Sequence, residues 1–139
     1  MKRFVLDASI SLSWFLDRPT AQYADHVRQL LLRGNRAIVP ELWQLEVANG
    51  FVVAERRGLL TSSDTAEALQ NLDVVIAQAI ENSRDPVSLR GVLRTARDYH
   101  LTAYDSVYLQ TALQQELPLA TLDRQLLAAA SKAGVEIVS

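Results

Sequence analysis

Short uninterrupted apolar runs set the strongest limit on what this chain can fold into. Phe4-Val5-Leu6 is one, Ala37-Ile38-Val39 is another, and Leu119-Ala120 within Leu117–Thr121 is a third. Runs this short, without polar alternation, suit strands buried on both faces of a parallel sheet. The stretches between them carry apolar residues at helical spacing. Short strands alternating with helices predict an α/β fold of three layers. The expected sheet is mostly parallel, with about five strands and helices on both faces. At 139 residues, one domain spanning 1–139 is expected, with enough length to bury a core.

Capping and breaking residues place the elements. Thr20 is placed to cap a helix running to Leu32, with Tyr23, Val27, Leu30 and Leu31 on one face. Pro40 opens a long helix to about Arg57, and Gly58 ends it. Thr61-Ser62-Ser63-Asp64 caps another to about Leu72, after which Val74–Ala77 reads either as a strand or as more of that helix. Asp85-Pro86 or Ser88 starts a helix to His100, and Thr102 starts the next, Ala103–Gln115. Thr121 or Asp123 caps Arg124–Lys132, and Val135–Val138 is expected as a final edge strand.

Composition removes several classes. With no cysteine there is no disulfide, no thiolate metal site and no thiol nucleophile, which fits a reducing cytoplasm. The opening Met1-Lys2-Arg3 is signal-like, but Asp7 interrupts the apolar run and no small-residue cleavage site precedes Asp17. No run approaches a membrane span, so no membrane partner is expected. The net charge of −2 gives no general nucleic-acid footprint, although twelve of the fourteen cations are arginines, which suit phosphate.

Four acids stand at element ends or in first helical turns: Asp7, Glu46, Asp105 and Asp123. Each has a plainer role open to it. Asp7 and Asp123 can cap the helices that follow them, Glu46 can solvate a helix border, and Asp105 can complete a capping box with Thr102. Taken together, they fall on the one edge where a doubly wound sheet places its sites. Four carboxylates there repel one another, and hard cations bound by oxygen, Mg²⁺ or Mn²⁺, relieve that cost.

These segments are familiar as a set. Val5-Leu6-Asp7-Ala8-Ser9, Pro40–Asn49 with Glu46, Leu101–Leu109 with Asp105, and Leu119–Arg124 with Asp123 closely resemble the motifs of PIN-domain nucleases. Within that family the chain looks like the short VapC-type ribonuclease toxins. The resemblance covers nearly the whole chain and keeps every acid in order. It implies a metal site of Asp7, Glu46, Asp105 and Asp123, supported by Thr121 and Ser9, in a sheet whose first strand is central. It implies one or two Mg²⁺ or Mn²⁺ ions activating water for in-line attack on an RNA phosphodiester. It further implies a cytoplasmic homodimer inhibited by a cognate antitoxin.

Other enzyme classes fit worse. An aspartyl-nucleophile phosphatase wants a second acid two residues after Asp7, where Ser9 stands. A receiver domain wants a mid-chain strand-end Asp and a late-strand Lys, and both are missing. There is no Gly-x-Ser-x-Gly elbow and no Gly-rich phosphate loop, and His26 and His100 stand alone. The serious alternative is a non-catalytic PIN-like module that binds RNA or protein. Two surface expectations complete the reading. Arg90, Arg94 and Arg97 share a helix face and are either solvated or in contact with RNA phosphates. Some of Trp14, Phe15, Leu16, Trp43 and Phe51 are expected to line a groove or dimer face beyond what the core needs.

Overall fold

The computed structural model describes residues 2–139. In chain order the elements are β1 (Arg3–Leu6), α1 (Ala8–Leu16), α2 (Gln22–Leu32), β2 (Arg36–Val39), α3 (Leu42–Arg56), α4 (Ser62–Ala79), β3 (Ile80–Asn82), α5 (Leu89–Tyr99), α6 (Ala103–Gln115), β4 (Leu119–Ala120) and α7 (Arg124–Ala133). The strands are parallel in the order β3-β2-β1-β4, which puts β1 inside the sheet. Val5 and Leu6 are wholly buried, as a double-sided apolar run requires.

The sheet has four strands, not about five. Val135–Val138 reaches it only through a bridge of Ile137 to Leu119, held by Leu119 N–H to Glu136 O at 2.9 Å and Val138 N–H to Leu119 O at 3.0 Å. β4 itself is two residues long and gives a fifth strand nothing more to pair with. Val74–Ala77 lies inside α4. There Leu72 and Ala79 are buried and Val75 and Ile76 partly so, a helical spacing that outweighs the strand preference of a β-branched run. The strand instead follows at Ile80–Asn82. Thr20 does not cap α2; Ala21 occupies that position, and its N–H donates to Ser13 Oγ at 3.1 Å.

Two groups of helices form around the sheet. α1 packs against α2 and α3, and α2 against α4, while α6 packs against α5, α7 and β1. The α1–α3 contact is very close at Gly50, where a Cβ would stand 2.3 Å from Leu12 Cδ2. A larger residue at this position would displace the Leu12 side chain, and the close approach carries Glu46, one turn earlier on α3, toward the start of α1. The large rings are core. Trp43 is 1% exposed and donates its indole N–H to Ser11 Oγ at 3.3 Å; Trp14 donates to Ala24 O at 2.8 Å. Phe51 is buried, Phe15 and Leu16 are half-buried at the core's edge, and Trp14 and Phe15 also line an open cavity with Asp17, Arg18, Glu67 and Asn71. The exposed apolar residues are others, among them Leu45, Leu59 and Tyr104.

Candidate active site

Asp7 leaves the carboxyl end of β1 at 4% exposure. It occupies the N-cap position of α1, but its side chain makes no capping bond. The Ser9 hydroxyl donates to Asp7 Oδ2 at 2.6 Å and the Thr121 hydroxyl donates to the same oxygen at 2.7 Å. Each hydroxyl also accepts a backbone N–H, Ser9 from Leu122 at 3.0 Å and Thr121 from Asp123 at 3.0 Å. A hydroxyl has one proton, so accepting from the backbone leaves that proton for Asp7. The network therefore ties the turn after β1 to the turn after β4 through one carboxylate oxygen.

The other acids come from separate elements. Glu46 lies one turn into α3 and accepts a hydrogen bond from the Tyr108 hydroxyl of α6 at 2.6 Å. Asp105 sits in the first turn of α6, where its N–H donates to Thr102 Oγ1 at 3.1 Å. Asp123 caps α7, its Oδ1 accepting the Leu126 N–H at 2.9 Å. Capping and site placement are therefore compatible for Asp123, whereas the plain cap reading fails for Asp7.

All four acids line one open cavity of about 620 Å³, together with Ser9, Leu42, Leu45, Asn49 and Tyr104. Their fields overlap. Burial holds the Asp7 carboxyl above its usual range against the pull of the Ser9 and Thr121 bonds, and the charge of Asp123 adds to the rise. Burial does the same to Glu46, opposed by Tyr108 and reinforced by Asp7 and Asp105. Asp105 is pushed up to about 6 by burial and then by Asp123 and Asp7, against the Thr102 bond. Protons or a cation relieve this crowding.

Among the described residues, no three Asp, Glu or His side chains stand close enough to grip one ion directly. The donor set is nonetheless all oxygen and anionic, the chemistry of hard cations. Mg²⁺ usually keeps several waters and takes only one or two direct carboxylates. A hydrated Mg²⁺ or Mn²⁺ fits such a cavity; a closed protein cage does not.

The fold thus brings Asp7, Glu46, Asp105, Asp123, Ser9 and Thr121 together. Arg90, Arg94 and Arg97 lie exposed on α5 and do not line the cavity. Sequence reasoning gave no role to Tyr108 or Tyr104. Tyr108 was detectable, because it follows Asp105 by three residues on one helix and so shares its face. The exposure of Tyr104 depends on how α6 is seated, which its immediate sequence does not specify.

Comparison with protein-family models matches residues 4–132 to the one described as PIN domain. Among solved structures, the crystal structure of PAE2754 from Pyrobaculum aerophilum is similar, with a TM-score of 0.70 and 28% sequence identity. That match covers 92% of this chain and 86% of the other. No curated protein sequence matches significantly. Among the described residues, no helix is long and apolar enough to cross a membrane.

Proposed function

The chain belongs to the PIN domain family, whose fold is generally a nuclease fold, and from that premise we propose that it is a metal-dependent endoribonuclease of the VapC type. The observation that carries this reading is the meeting of four carboxylates, from four separate places in the chain, around one open cavity. Asp7, Glu46, Asp105 and Asp123 would hold Mg²⁺ or Mn²⁺. The bound ion supplies activation of water and stabilisation of charge on the reacting phosphodiester. The chain's own groups fix the acids. Ser9 and Thr121 hold Asp7 Oδ2, Tyr108 holds Glu46 Oε1, and the Leu126 N–H holds Asp123.

In this reading the protein is the toxin of a cytoplasmic toxin–antitoxin pair. A second copy and a cognate antitoxin cover apolar surface on α3 and α4. Val52, Leu69 and Val74 support this, being between 41% and 55% exposed.

The test is cleavage of single-stranded and structured RNA with Mn²⁺ or Mg²⁺, with excess EDTA, and by Glu46→Gln. Cleavage that needs the ion and is lost in the variant supports the proposal; cleavage undiminished by EDTA overturns it. The exposed Leu45 and Tyr104 beside the same cavity also suit a second reading, a non-catalytic module that binds RNA or protein. RNA binding without cleavage under every metal condition would establish that reading instead.

A further inference from the structure

The rim of the acidic cavity carries an aromatic ring that the fold does not use. Tyr104 is 62% exposed, stands next to Asp105 in the first turn of α6, and lines the cavity. Its hydroxyl has no hydrogen-bond partner among the described residues, and Thr102, not Tyr104, caps the helix. Leu45 of α3, 70% exposed, lines the same cavity. Two large apolar side chains therefore stand in water beside four acids.

We propose that Tyr104 is the stacking platform for an unpaired nucleobase adjoining the phosphodiester at the four acids, with Leu45 contributing apolar contact to the same base. The inference rests on the nuclease reading and adds to it how the substrate is held. Charge supplies the physical reason. The cavity is acidic, the chain carries a net charge of −2, and RNA is a polyanion, so beyond the ion that this reading places there the cavity offers the strand no electrostatic attraction. Stacking on an aromatic face is indifferent to that charge and tolerates any base. It also demands a base free of its neighbours, so the nucleotide next to the cut must be unpaired.

The experiment uses the full chain, Mn²⁺ and a single-stranded RNA that the wild type cuts, at concentrations spanning KM so that kcat and KM are read separately. Single abasic replacements are placed in turn on each side of the cut bond. Tyr104→Ala is expected to lose about tenfold in kcat/KM, mainly through KM, while Tyr104→Phe keeps most of the rate. With the abasic residue at one particular position, wild type and Tyr104→Ala become equal, because the ring has lost its base. Melting curves of both variants should match the wild type, since the side chain is mostly exposed. Tyr104→Ala as active as wild type, or a loss that persists in full at every abasic position, overturns the stacking role alone. A wild type that cuts no RNA with either ion removes the nuclease reading itself, and the stacking role with it.

Discussion

The Tyr108 hydroxyl donates to Glu46 Oε1 over 2.6 Å, joining α6 to α3 at the acidic cavity. Tyr108 is wholly buried, and its phenol is held far above its ordinary range by burial and by the bond to Glu46. It therefore stays a donor at every working pH. Tyr108→Phe keeps the ring and removes only that donor. If Glu46 holds the ion, Mn²⁺ affinity should fall about tenfold, the usual scale for a lost supporting hydrogen bond. Stability should fall by no more than about 1–2 kcal/mol. Calorimetric Mn²⁺ titration beside a melting curve checks both; unchanged Mn²⁺ affinity would mean the bond is merely structural.

Asp7→Asn sets function against stability. Asparagine's carbonyl oxygen can still accept from Ser9 and Thr121, while one of four crowded charges disappears. Metal-dependent cleavage should be abolished. Without metal, the variant should be as stable as the wild type or more so, by about 1 kcal/mol. The comparison is a melt in EDTA beside an RNA-cleavage assay in Mn²⁺. A variant that cuts at the wild-type rate removes Asp7 from the proposed site.

The crowding also predicts a pH dependence. Asp105 titrates near 6 when folded and at its ordinary 3.8 when unfolded. Between those values the folded chain holds a proton that the unfolded chain lacks, so this group stabilises fully at low pH. That contribution is lost as pH rises through about 6. Asp7 and Glu46 shift in the same direction, whereas Asp64 and Glu81 are lowered by their hydrogen bonds and act oppositely. The difference between wild type and Asp105→Asn reads this group together with its coupling to Glu46, which shifts the same way. In EDTA, wild type should gain Tm relative to the variant as pH falls from about 7.5 to about 5. A difference that is flat across this range contradicts the crowding.

The arginine face offers a charge test. Arg90, Arg94 and Arg97 are exposed and belong to none of the ion pairs among the described residues. If each meets a phosphate of single-stranded RNA, replacing all three with alanine should weaken binding whatever the sequence. The slope of log K against log salt should flatten by roughly 2. Fluorescence anisotropy across a salt series measures it, and an unchanged slope assigns the face to solvent.

Much of this arrangement was legible because local and global signals agreed. Phe4-Val5-Leu6 suited an interior strand and is one, and Asp7 at its end has the partners that a buried carboxylate requires. Legibility failed where tertiary context outweighed local preference. Val74-Val75-Ile76 has strand-like composition but packs as the end of α4, and β3 hides in the polar Ile80-Glu81-Asn82, where Glu81 pairs with Arg3 and Arg36. The rings of Trp14, Trp43 and Phe51 looked surplus because a one-stripe view of their helices underestimates how much α1, α2 and α3 enclose.

The place of β1 between β2 and β4 has a consequence for how the cavity is assembled. The N–H groups of Val5 in β1 and of Asp7 just beyond it bond to Pro118 O and Ala120 O, far along the chain. Asp7 and Glu46 lie well before Asp105, Thr121 and Asp123 in the sequence. Until β4 docks beside β1, Asp7 lacks the Thr121 bond and Asp123 has no fixed place beside it. Contacts this distant in sequence close a long loop, so the cavity takes shape only with the completed sheet.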